Sequence, residues 1–476
     1  MKISKDRKDI YPMAGKNLQM RRMASDKTDF ETPHDEISAA LKQTDPQIYE
    51  LILKEYKRLQ STLQLVAAEN QCSWAVLAAL GSIIQNKTAE GFPGARWHGG
   101  CEVVDEIETL AIARAKQAFD AKYANVQPHS GTAANQIVLT AVLQPNDKIL
   151  SLGTEQGEHP SHGGAGSLAN KFFRIGSYPV DKATFLLDYN VIRDKAIEFK
   201  PRLIICGASA YARKIDFAKF REIADEVGAY LLADISHIAA LVIAGAHPSP
   251  IDYAHFTTTS TYKSGGPRGG LILMGKDYDL QVKAWGRDMP LWEHIQQATF
   301  PGIQGTPYFN HIAAKAVFFK ESLSDEYKTR QFKVIENAKH LARNLLDLGY
   351  DVLTGGTDNH MILINVANSR KGLTGVIAQK SLEDCGIVVD KMLLPYDDKP
   401  NLTSGIRLGT PIVTKNGMGA AEMDNIAELV NAVLKKVRPL GGCQYSVDES
   451  FAANTKQQVM TLSRRFPFRL VFARAE

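Results

Sequence analysis

The chain has 476 residues, 44% of them hydrophobic and 23% charged, with a formal net charge of +4. That length allows about two or three domains, or one large α/β domain with appendages. So mild a charge gives no case for nucleic acid as a partner, and no apolar run reaches the roughly 18–20 residues of a membrane span.

Taken in chain order, the opening "MKISKDRKDIYPMAGKNLQMRRMASDKTDF" is basic and polar, with no apolar stretch of the kind a secretory signal needs. Residues 1–43 read as a loose tail. The segment "IYELILKEYKRLQ" (48–60) carries apolar residues at helical spacing and predicts a docking helix; "DEIETLAIARAKQAF" (105–119) predicts another. Short apolar runs follow: "KILSLG" (148–153), "RLIICGA" (202–208), "YLLADIS" (230–236), "HFTTTSTY" (255–262) and "GGLILMG" (269–275). They read as buried strands, and helical stretches such as "FAKFREIADEVG" (217–228) lie between several of them. That alternation predicts a mostly parallel sheet with helices on both faces.

After about residue 310 the pattern changes. A long helical region (310–348) leads to "YDVLTGG", "HMILINVA", "GIVVDK" and "SGIRLGTP", which predict a smaller α+β domain. The boundaries drawn are 44–310 for an N-terminal arm with the large domain, and 311–476 for a linking helix with the small one. The five cysteines (Cys72, Cys101, Cys206, Cys385, Cys443) are scattered, and no CxxC or Cys/His metal spacing occurs. Free thiols in a reducing, cytoplasmic setting and no metal site are the expectation.

In open α/β sheets ligands bind beyond the carboxyl ends of the strands. Polar residues gather there: Asp234 and His237 in "DISH", and Lys263 behind the hydroxyl run Thr257–Thr261. "QPHSGTAAN" (127–135) puts Ser130, Gly131 and Thr132 just before an apolar helix, where free N–H groups and the dipole favour phosphate. Alone each signal is weak. A strand-end Asp is usually a cap, a loop Glu such as Glu90 is usually solvated, and "HSGT" is common capping. Together, cradle, Asp and then lysine follow the order of fold-type I pyridoxal-phosphate enzymes. That chemistry needs an amine for a Schiff base, a carboxylate for the pyridine nitrogen, and an anchor for the phosphate.

Several blocks in order go further. "LQLVAAENQCSWAVLAALGS", "KTAEGFPGARWHGGCEVVDEIE", "NVQPHSGTAANQ", "GASAYARKIDF", "ADISHIAALVIAG", "FPGIQGTP", "LTGGTDNHM" and "TSGIRLGTP" resemble the serine hydroxymethyltransferase family over residues 44–440. The resemblance implies a fold-type I architecture, with a mostly parallel seven-stranded sheet between helices and a smaller C-terminal α+β domain. It implies that Lys263 holds pyridoxal 5'-phosphate and Asp234 pairs with its pyridine nitrogen. His159 would stack on the ring and His237 would sit near its 3-hydroxyl. Ser130, Gly131 and Thr132 would bind the phosphate, with Ser209, Tyr211 and a neighbour's Thr306 lining the site. Arg407 would clamp the amino-acid carboxylate. Glu90 would be the acid/base carboxylate near the substrate's β-hydroxyl. His162 reads equally as structural or active. A homodimer or dimer of dimers is implied, with sites at subunit interfaces.

Departures cluster at the substrate end. Tyr262 replaces the His expected before the lysine, and Ala68 replaces a serine. Thr88 stands for a Tyr, Trp97 and His98 for a tyrosine pair, and Thr306 for a glycine. Glu158 and Pro160 intrude into "GEHPSHG". "VDKM" replaces "VNKN", putting Met392, which cannot donate a hydrogen bond, where an amide meets the pterin. The retained set implies Cα–Cβ cleavage of a β-hydroxy-α-amino acid through a quinonoid carbanion. Two acceptors stay open. One is tetrahydrofolate, in a serine or α-methylserine hydroxymethyltransferase; the other is folate-independent, with the carbanion protonated in a threonine aldolase or adding to another aldehyde in a transaldolase. A non-enzymatic binding or regulatory role is the third reading.

Overall fold

The computed structural model describes residues 33–467 except 285, 396 and 398–401. Residues 1–32 of the expected N-terminal tail lie outside the described residues; its last part falls in the helix Pro33–Thr44, which is followed after Asp45 by the helix Pro46–Ser61.

Seven strands form the central sheet: β1 (Tyr123–Asn125), β2 (Lys148–Leu152), β3 (Arg174–Tyr178), β4 (Leu203–Cys206), β5 (Tyr230–Asp234), β6 (Phe256–Ser260) and β7 (Gly270–Met274). Their spatial order is β1-β7-β6-β5-β4-β2-β3. All pairings from β6 to β3 are parallel, and β7 runs antiparallel between β1 and β6. Strands covered on both faces read as unbroken apolar runs rather than alternating ones. That is why "LIIC" in β4 and "GLILM" in β7 are buried at every position. One apolar cluster fills the face packed by helices Glu102–Phe119, Phe217–Val227 and Phe309–Ser322. A second fills the other face, under helix Gly131–Val142.

The helical region expected over 310–348 is two helices, Phe309–Ser322 and Asp325–Asp347. Ser324 divides them: its side chain accepts from the Tyr327 backbone N–H at 3.2 Å, as an N-cap should. Beyond them a four-stranded antiparallel sheet has β8 (Asp351–Val352), β9 (Met361–Asn365), β10 (Asp390–Met392) and β11 (Gly405–Gly409) in the order β8-β9-β11-β10. Its core also takes in Leu63 and Leu65 from the N-terminal side. There the short strand Leu63–Gln64 pairs in parallel with Ile387–Val388. No helix among the described residues is long and apolar enough to cross a membrane.

Candidate active site

Three strand ends and one helix start converge. β5 ends on Asp234, β6 runs into the turn Tyr262–Ser264 that carries Lys263, and β4 leads to Ser209. Gly207 makes the last approach possible: its φ is +129°, and a Cβ there would lie 2.1 Å from the Asp234 carbonyl oxygen. Helix Gly131–Val142 points its N-terminus at the same place, capped by Ser130, whose hydroxyl accepts from the Ala133 N–H at 3.0 Å.

Asp234 is buried and fully engaged. Oδ2 lies 3.0 Å from His162 Nε2 and accepts from Asn135 Nδ2 at 2.8 Å; Oδ1 accepts from the Ser236 N–H at 3.0 Å and hydroxyl at 2.6 Å. Burial alone would raise its pKa. The hydrogen bond and charge of His162, with Asn135 and Ser236, instead hold it well below the usual carboxylate range. Asp234 therefore stays an anion next to any cationic ring nitrogen. Lys263 feels that anion, but burial dominates and pulls its amine down to about 8. Its free-amine share near neutrality is then roughly two orders of magnitude above that of an ordinary lysine.

Three imidazoles close the site. Burial holds His159 at about 4 and His360 at about 3, and pushes His237 well below the ordinary histidine value. All three are neutral near pH 7, which suits flat packing against a ring. His159 caps the short helix Pro160–Gly163, its Nδ1 2.7 Å from the Ser161 hydroxyl. His237 and His360 stack with centroids 5.8 Å apart and planes 13° apart. Buried side-chain atoms left without a partner among the described residues include His237 Nδ1, Ser260 Oγ and Thr257 Oγ1. An anionic strand-end Asp, a helix start, an enclosed amine and these orphaned donors together fit the nitrogen, phosphate and carbonyl of pyridoxal phosphate.

Arg407, from β11 of the smaller sheet, reaches across to the large domain. Its Nη1 donates to the Ser209 carbonyl, and its Nη2 is 2.6 Å from Asp390 Oδ2. Tyr211 is buried nearby, and its hydroxyl accepts from the Leu187 N–H at 3.2 Å.

The other expected residues form a separate group. Arg96 pins the loop of Glu90 by donating to the Gly91 carbonyl at 2.6 Å while paired to Asp105 and to buried Glu108. The Glu90 N–H donates to His98 Nδ1 at 3.4 Å, and the Thr88 carbonyl accepts from Lys87. Glu90 faces the Gly305–Thr306 turn. Among the described residues, Thr88, Glu90 and His98 share no hydrogen bond with Lys263, Asp234 or Arg407. Thr132 is exposed, on the first turn of its helix. Tyr262 lies partly buried with the Arg268 guanidinium 4.0 Å from its ring centroid and Lys263 Nζ at 5.9 Å. Glu158 is buried against Ser151 and Thr154, each hydroxyl 3.3 Å away, and burial raises it to about 7. Met392 packs on a small apolar cluster with Ala67, Leu363 and Leu394.

Sequence reasoning passed over three residues. His360 lies in the block "LTGGTDNHM", but nothing in that block marks it as part of the site. Asp390 sits in "VDKM", two residues before the more conspicuous Met392. Lys315 is wholly buried in helix Phe309–Ser322, and its ammonium donates to the carbonyls of Val126, Gly270 and Pro128 at 2.6, 2.8 and 3.2 Å. It thereby straps the loop before Ser130 to β7. A lysine within the apolar helix "FNHIAAKAVFF" was the available signal.

Fold and site together define a fold-type I pyridoxal-phosphate enzyme. The serine hydroxymethyltransferase family model matches residues 41–430. A serine hydroxymethyltransferase of Methanosarcina barkeri (strain Fusaro / DSM 804) is 46% identical over 429 residues, 90% of this chain and 98% of that protein. The chain belongs to the serine hydroxymethyltransferase family, and it is a transferase of that pyridoxal-phosphate-dependent type, acting on the Cα–Cβ bond of a β-hydroxy-α-amino acid. Nothing in these similarities favours the folate-independent aldolase or transaldolase reading.

Proposed function

We propose that the protein interconverts serine and glycine, with pyridoxal phosphate held by its own residues and a tetrahydrofolate-type carrier taking the one-carbon unit. The observation that carries this reading is the buried Asp234, kept anionic by His162, Asn135 and Ser236 within electrostatic reach of an amine at about 8. Lys263 is the Schiff-base lysine. Asp234 holds the proton on the pyridine nitrogen, and His162 orients Asp234 through Nε2. Ser130, Gly131 and Thr132 receive the phosphate at the helix start. His159 packs on the ring face, His237 sits at its 3-hydroxyl, and Ser209 and Tyr211 line the wall.

When bound, pyridoxal phosphate supplies the electron sink for the Cα–Cβ bonding pair. The chain's residues do the rest. Arg407 anchors the amino-acid carboxylate with two parallel N–H donors. Glu90 exchanges a proton with the substrate's β-hydroxyl, and Tyr262, oriented by Arg268, fills the side next to the amine. In a homodimer, Thr88, Glu90, His98 and Thr306 of one subunit serve the neighbour's cofactor. The exposed Ile83, Trp97 and Val103 beside them are the apolar surface such an assembly would cover.

Borohydride reduction of the pyridoxal-phosphate-loaded protein, followed by peptide mapping, is expected to place the label on Lys263. Label on any other lysine would refute the assignment. Glycine formation from serine is expected to rise at least tenfold with tetrahydrofolate; an equal rate without it would overturn the choice of acceptor.

A further inference from the structure

Asp390 and Arg407 are direct cross-strand partners on β10 and β11. Both Nε (3.3 Å) and Nη2 (2.6 Å) of Arg407 point at the same Asp390 oxygen, Oδ2, while Nη1 donates to the Ser209 carbonyl. Every nitrogen of the guanidinium therefore has an acceptor supplied by the chain itself. The two sides of the pair differ in access: the Arg407 side chain is 7% exposed, that of Asp390 29%. A half-open carboxylate resting on a buried guanidinium is the partner an incoming carboxylate can displace. Asp234, the other carboxylate acting on Lys263, is committed to His162, Asn135 and Ser236 and has no comparable freedom.

We propose that Asp390 is a specificity-determining residue: an internal carboxylate that competes with the amino-acid substrate's own carboxylate for Arg407. The inference rests on the reading of Arg407 as the carboxylate anchor. Binding an amino acid then means exchanging one carboxylate for another, and the freed Asp390 remains nearby as a like charge. The site should bind α-amino acids more weakly than the same site with a neutral residue at position 390. The handicap should fall on the carboxylate alone and spare the amine and β-hydroxyl.

The test compares holoenzyme, Asp390→Asn and Arg407→Gln by titrating each with glycine, L-serine and ethanolamine, which is serine without its carboxylate. The readout is the change in the bound cofactor's visible absorbance. Asn keeps the shape and an acceptor oxygen, so only charge is removed, and a melting curve checks the fold. Asp390→Asn is expected to tighten glycine and serine by about three- to tenfold and to leave ethanolamine within about twofold. Equal effects on all three ligands, no effect on the amino acids, or weaker amino-acid binding would overturn the proposal. Arg407→Gln separates the two layers. If it abolishes the preference for serine over ethanolamine while Asp390→Asn changes nothing, the anchor stands and this inference falls. If the preference survives Arg407→Gln, the anchor reading fails and takes the inference with it.

Discussion

Asp234 shows how much of one residue's chemistry is supplied by its neighbours. A carboxylate in that buried position would protonate readily if it stood alone. His162 and Asn135 reverse the outcome, so weakening them should show in the cofactor. His162→Ala is expected to loosen pyridoxal phosphate about tenfold, read as faster loss of the visible band on dialysis; retention equal to the parent would refute the orienting role. Glu158 offers a second prediction, with its sign fixed by linkage. Its folded-state value of about 7 lies above the roughly 4.3 of an unfolded glutamate. The folded state keeps a proton there that the unfolded chain has lost, so Glu158 costs stability increasingly as pH rises from about 4.5 to about 7. Glu158→Gln should therefore leave the Tm nearly unchanged below about pH 4 and raise it by a few degrees at pH 8, a gain of about 1–3 kcal/mol. A gain that does not grow with pH would contradict this. At this scale the sequence was half legible. The order of cradle, Asp and lysine locates Asp234 and Lys263, because strand ends and helix starts follow from local pattern. The pairing of His162 with Asp234 does not follow, because it depends on how two separate elements pack.

Elements were the most legible level. β2, β4, β5 and β7 coincide with apolar runs bounded by glycine and polar residues, the usual composition of a strand buried on both faces, while β6, "FTTTS", is as fully buried yet carries four hydroxyls. The division at Ser324 was less visible, because the apolar spacing continues on both sides of the cap. β7 also carries a constraint on the proposed phosphate cradle. A Cβ at Gly270 would sit 2.1 Å from the Ser130 carbonyl oxygen and 3.0 Å from Pro128 Cβ. Backbone cannot yield as a flexible side chain can, so Gly270→Ala must push the loop before helix Gly131–Val142 away from the sheet. The same loop is strapped to β7 by Lys315, which resists the move. Gly270→Ala is expected to cost about 1–3 kcal/mol of stability and to lower the affinity for pyridoxal phosphate and for free phosphate together. A melting curve and a phosphate competition titration would check both, and loss of stability with unchanged phosphate binding would show that the cradle does not depend on this approach.

Across the whole molecule, the proposed site needs two bodies held in register: Lys263 and Asp234 belong with the seven-stranded sheet, Arg407 to the four-stranded one. The segment 63–72 links them. It begins as the strand Leu63–Gln64 beside Ile387–Val388, and the Leu65 carbonyl accepts from the Gly409 N–H at 2.7 Å. The Ala67 carbonyl lies 3.1 Å from His360 Nε2. The segment then reaches the lysine turn, where Asn70 Nδ2 donates to the Lys263 carbonyl at 3.1 Å and Cys72 Sγ to that of Gly266 at 3.0 Å. None of this was legible beforehand, because a two-residue strand has no periodicity and its partner lies far along the chain. Leu65 is the apolar pin of the strap, fully buried in the core of the smaller domain. Leu65→Ala should leave a cavity costing about 2–5 kcal/mol, seen as a Tm lower by several degrees. Its functional effect should be lopsided. The residues proposed for the cofactor's ring nitrogen and phosphate, Asp234 and Ser130–Thr132, both belong to the large domain and should hold, so pyridoxal-phosphate affinity should change by less than about twofold. The distance from Lys263 to Arg407 spans the strap, so KM for the amino acid should rise roughly three- to tenfold. A fall in both affinities by the same factor would mean that Leu65 supports only the fold, whereas a rise in KM alone would mark the strap as what sets the span of the site.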